Sequence, residues 1–88
     1  MIKVGSLVKL HDYINYDHFS ALDLTHTDFE HTWNRLFRVY SIWGDDGLGR
    51  YRGTLMTLEV VDREGLGPRT IDKLEGFTWK VCYFKEVG

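Results

Sequence analysis

Cysteine is almost missing from this chain: Cys82 is the single thiol in 88 residues, which excludes an internal disulfide framework and a cysteine-based zinc knuckle. Proline is as scarce, with Pro68 alone, so no stretch reads as a stiff proline-rich linker. Long apolar runs are missing too. Nothing approaches the roughly 20 residues that cross a bilayer, and the opening MIKVGSLVKL has no apolar core of a secretory signal. Neither charge dominates: 11 Lys and Arg stand against 13 Asp and Glu, a net of −2. That is not the basic footprint of a general nucleic-acid binder. A lone thiol without an export signal leads to the expectation of a cytoplasmic protein with no membrane partner.

Assembled catalytic and metal-binding sets are also missing. Cys82 lies inside an apolar stretch, without the flanking small-residue loop or helix N-terminus that activates a thiol nucleophile. Asp45 and Asp46 fall in a glycine-rich turn, where aspartate serves turn geometry. Gly44, Gly47 and Gly49 are not followed by the Lys-Ser/Thr of a phosphate loop. Of the four histidines, His26 and His31 are the closest pair with acids between them. At five residues apart they diverge by about 140° on a helix and cannot converge on one ion. The expectation is therefore no enzyme activity, no cofactor and no metal.

What the chain does have is aromatics, at 15% of residues, enough large rings to fill one small core. It also has an uneven charge map. Residues 11–34 carry five acids and all four histidines (His11, His18, His26, His31) but no Lys or Arg, so the rest of the chain is net basic. Around this segment the sequence alternates as strands do. Ile2, Val4, Val8 and Leu10 mark a strand over about 2–10. Phe37, Val39 and Trp43 form one face of a strand over 36–43, with Arg38, Tyr40 and Ile42 on the other. Met56, Leu58 and Val60 do the same within 50–62. A last strand over 77–87 has Phe77, Trp79, Val81 and Tyr83 on one side. Residues 44–49 and 63–68 are turn chemistry, and Ile71 and Leu74 mark a short element of open type before Gly76. In the long first connection, Thr27 and Glu30 have capping-box spacing, and Phe29, Trp33 and Leu36 share a helical face, which predicts one short helix over 28–34.

Two stretches carry a family resemblance. Val4-Gly5-Ser6-Leu7-Val8-Lys9-Leu10 resembles the opening strand of SH3-like barrels, and Val81-Cys82-Tyr83-Phe84-Lys85-Glu86-Val87 is similar to their closing strand. The resemblance implies a mainly β single domain over 1–88: a small barrel of four to five antiparallel strands, with one short helix in a long first loop. An OB-like barrel is the structural alternative. The resemblance also implies a type of surface, since SH3-like peptide binders use aromatics and acids on the first loop to hold proline-rich segments with a basic residue.

The candidate partner-binding residues are Tyr13, Tyr16, Asp17, Phe19, Asp23, Asp28 and Trp33. Aromatics on a loop supply rigid contact area, and acids around them steer a basic partner. The competing reading has Tyr13, Tyr16 and Phe19 folded back to cap the core. The function expected is a protein-interaction module: an adaptor, or a small stoichiometric inhibitor or accessory factor of the kind bacterial viruses make. The alternative is a nucleic-acid-binding accessory protein using Arg38, Trp43, Arg50, Tyr51 and Arg52, which combine cationic and stacking groups. Asp45, Asp46, Asp62 and Glu64 lie among those arginines and favour a mixed, solvated face.

Overall fold

The computed structural model describes residues 2–19, 25–44 and 55–87. Five antiparallel strands form one sheet: β1 (Leu7–Leu10), β2 (Phe37–Trp43), β3 (Leu55–Val60), β4 (Trp79–Lys80) and β5 (Phe84–Glu86), in the order β4-β3-β2-β1-β5. Two α-helices accompany it, α1 (His26–Thr32) and α2 (Pro68–Gly76). One 3-10 turn, Tyr16–Phe19, follows β1, and another, Val81–Tyr83, joins β4 to β5.

The first strand is shorter than the expected 2–10. Lys3 and Ser6 close a turn (Ser6 N–H to the Lys3 carbonyl, 2.9 Å) with Gly5 at φ +91°, a conformation that suits glycine. Extended pairing starts only beyond it, and Val8 and Leu10 then face the core as their alternation predicts. β3 keeps its predicted parity, with Met56, Leu58 and Val60 buried; residues 50–54 of the expected strand lie outside the described residues.

Strand β2 departs from simple alternation. Its pairing runs Val39↔Leu58 and then Ser41↔Thr57, leaving Tyr40 as the extra residue of a bulge. A bulge reverses the parity beyond it. Ile42 therefore pairs with buried Met56 and packs on the core, while Trp43, expected on the Phe37 face, turns outward.

The expected strand over 77–87 is likewise two strands split by the 3-10 turn. That turn lets Trp79 and Phe84, on opposite sides of a regular strand, both point inward. Their rings meet edge to face at 5.6 Å.

Among the described residues there are two α-helices rather than one. The second grows from the turn and open element before Gly76: Pro68 sits at its first position, Leu74 is buried, and Ile71 is partly buried against the core. Pro68 is pre-set for that place, because its missing N–H has no helical partner to lose there.

The two sheet edges are β4 and β5, yet only three residues separate them in sequence. A flat five-stranded sheet measures about 19 Å from edge to edge. The four Cα steps from Lys80 to Phe84 reach at most about 15 Å. The sheet is therefore bent around its core, in which Phe37, Met56, Trp79 and Phe84 are the largest buried side chains of the strands.

Candidate functional site

The bend leaves β1 pointing into the first connection, and that connection returns along α1. Thr25 caps the helix. Its hydroxyl accepts from the Asp28 N–H (3.1 Å) and its own N–H donates to Asp28 Oδ2 (3.3 Å), a capping box two residues earlier than the Thr27–Glu30 spacing predicts. Phe29 and Trp33 stand one turn apart with ring centres 5.9 Å apart. Asn34, at φ +57°, ends the helical path in the left-handed region that asparagine tolerates.

A groove of about 480 Å³ opens between this helix and the start of the loop, lined by Asp12, Tyr13, Ile14 and Asn15 on one side and Phe29, Glu30 and Trp33 on the other. Its floor is apolar, since Ile14 is fully buried and Phe29 packs on the core. Its rim is aromatic and acidic. Tyr13 is 63% and Trp33 43% exposed. The Tyr13 hydroxyl donates to the Cys82 carbonyl (3.0 Å), which ties the loop to the 3-10 turn between β4 and β5, and His11 stacks on the Tyr13 ring. Asp12 already faces Lys85 across 3.6 Å. Glu30 is exposed and has no ion pair among the described residues.

The predicted site residues divide. Tyr13 and Trp33 both line the groove. Tyr16 stands behind it, half-buried, stacked on His26 at 3.7 Å and edge-on to Phe29 at 6.3 Å. Asp17 is exposed at the next 3-10 turn, where its N–H donates to Asn15 Oδ1 (2.9 Å). Phe19 closes that turn, and its side chain lies outside the described set, as does all of Asp23. Asp28 does not belong to a free surface: it is buried, completes the cap, and pairs with Lys73 of α2. Burial pushes the Asp28 carboxyl up. The hydrogen bonds from Lys73 and Thr25 outweigh this and hold it below its ordinary value.

Of the groove residues, Ile14, Asn15, Phe29 and Glu30 were not among the candidates the sequence offered. Phe29 had a signal, its shared helical face with Trp33, and Glu30 one as an acid beside it. Ile14 and Asn15 had none.

The arginine face comes together only in part. Arg38 is exposed and lies 4.0 Å from Glu59, and Trp43 is 48% exposed; Arg50, Tyr51 and Arg52 lie outside the described residues. A second cavity of about 320 Å³ near this face is lined by Tyr40, Leu58, Glu59, Arg63 and Glu75, with Arg63 3.7 Å from Glu75. Its two carboxylates make it a poor seat for phosphate. Among the described residues no three His, Cys, Asp or Glu side chains group as a metal site, and no helix is long and apolar enough to cross a membrane. No protein-family model matches the chain, and no curated protein and no solved structure is significantly similar to it.

Proposed function

We propose that this chain is a protein-interaction module, built as a small SH3-like barrel, that receives an extended segment of a partner protein in the groove between its first loop and α1. The observation that carries this reading is the groove itself: an apolar floor of Ile14 and Phe29 between exposed Tyr13 and Trp33, with the exposed Glu30 carboxylate, which has no ion pair among the described residues, on the rim. Aromatic walls take up rings, prolines and aliphatic side chains at low entropic cost, and a free carboxylate selects a Lys or Arg beside them. The barrel reading is supported by the strand order and by the three-residue link between the two sheet edges. A module without its own chemistry acts by occupancy, as an adaptor or as a stoichiometric inhibitor or accessory factor, in the cytoplasm.

The test is a titration of the whole protein with a fluorescein-labelled proline-rich peptide containing one arginine. Trp33→Ala and Tyr13→Ala should each weaken binding at least tenfold, while Glu30→Lys should lose this peptide and accept the same peptide with glutamate in place of arginine. Unchanged affinity in both alanine variants overturns the assignment of the groove. Salt-sensitive binding of single-stranded DNA or RNA instead, lost on Arg38→Glu, establishes the nucleic-acid alternative.

A further inference from the structure

Seven residues are too few for α1 to hold its shape unaided, because an isolated helix of this length is unstable in water. The wall of the groove must therefore be positioned from outside.

At the N-terminal end a single carboxylate oxygen, Asp28 Oδ2, receives both the capping N–H of Thr25 and the ammonium group of Lys73. At the other end, Arg35 Nη1 donates to the carbonyls of Asp62 (2.6 Å) and Glu64 (3.1 Å), and Arg35 Nε to that of His31. Lys73 itself stands on a rigid post. Its neighbour Leu74 is buried and accepts the Trp79 indole N–H (3.3 Å) on its carbonyl, and Glu75 Oε2 takes the Val60 N–H (2.9 Å) from β3. A continuous path thus runs from the core through α2 and Lys73 to Asp28, and from there along α1 to Phe29, Glu30 and the C-cap Trp33.

We propose that Lys73, which lines no part of the groove, is a positioning residue for it: its contact with Asp28 holds α1 at the separation from the first loop at which Tyr13 and Trp33 can grip a partner. This rests on the groove reading given above. The competing account is that the partial burial of Phe29 alone seats the helix and that Lys73 is one more surface ion pair, of little consequence.

Amide hydrogen exchange on the whole protein separates the two, since it reports local opening without any ligand. In Lys73→Met the amides of Phe29 and Trp33, which bond within α1, should exchange at least tenfold faster, with those of β2 and β3 unchanged. Lys73→Arg should restore protection. The same Lys73→Met variant should bind the arginine-containing proline-rich peptide at least fivefold more weakly. Unchanged α1 exchange overturns the proposal. So does a uniform acceleration that includes β2 and β3, the mark of a general stabilising contact. So does a selectively loosened α1 with undiminished peptide affinity. If the wild-type protein ignores the peptide, the ligand class proposed above falls, while the exchange measurement still decides whether Lys73 holds the wall.

Discussion

Asp28 concentrates most of what a single residue does in this molecule. Its carboxylate accepts the Thr25 N–H of the capping box and the ammonium group of Lys73 from α2, and its main-chain carbonyl takes the buried Thr32 hydroxyl (2.9 Å). Its carboxyl is held below the ordinary aspartate value, so its ionised form contributes stability above the unfolded-state pKa of about 3.9. That contribution is lost as pH falls through the lower folded-state pKa, because the unfolded chain binds the proton more readily. Asp28→Asn keeps the shape without the charge. Urea unfolding should find this variant less stable than wild type at about pH 6, with the gap closing as pH falls through the folded-state pKa and the native carboxyl becomes neutral as well. A gap that persists at low pH would assign the effect to the amide's geometry and not to the charge on Asp28.

Among the elements, the two helices are capped unequally. Thr25 gives α1 a complete capping box, whereas α2 starts from Gly67 with no side-chain cap at all. Gly67 has φ −81° and ψ 166°, ordinary extended backbone, and a Cβ there would meet nothing within 4 Å. Gly67→Asp places an acceptor beside the first N–H groups of α2 and a negative charge at the positive end of its dipole. It also removes a glycine from the unfolded chain. The variant should be more stable by about 0.5–1 kcal/mol, read as a higher urea midpoint at unchanged slope. A loss of stability would show that the entry to α2 does not tolerate the side chain. The strands show the opposite economy. β4 and β5 have only two and three residues, and edges that short offer little template for pairing with other chains.

For the whole molecule, the connection between the sheet edges has a cooperative consequence. β1 is held between β2 and β5, β3 between β2 and β4, and the Val81–Tyr83 turn joins the two outer strands. The ring contact of Trp79 with Phe84 spans the two edge strands, and that of Phe84 with Phe37 (6.1 Å) ties β5 to β2. Neither half of the sheet can leave without exposing the shared aromatic core, so unfolding should be a single transition. Tryptophan fluorescence and far-ultraviolet circular dichroism should give the same urea midpoint, with a slope of about 1 kcal/mol/M for a chain of this size. Two separated midpoints would mean that the halves of the sheet are independent units.

Much of this was legible along the chain because it depends on local periods. The inward residues of β1 and β3, Val8 and Leu10 with Met56, Leu58 and Val60, follow from alternation alone. A short helix carrying Phe29 and Trp33 follows from its spacing, whereas α2 does not: Pro68 reads as turn and Ile71 and Leu74 as an element of open type until the packing of Leu74 on the core makes a helix of them. The peculiar charge of residues 11–34 marked the stretch in which the groove lies. Tertiary structure decided what no period encodes. The bulge at Tyr40 and the 3-10 turn at Val81–Tyr83 each shift parity, because a sheet that bends this sharply cannot keep one residue against one across every pair. Whether an acid is surface or scaffold was decided the same way. Asp28 and Glu30 are near neighbours of similar chemistry, but only Asp28 meets Lys73, whose position is set by the packing of Leu74 and Glu75 on the far side of the chain. Such a pairing depends on where distant segments come to rest, and hydrophobic packing settles that only in three dimensions.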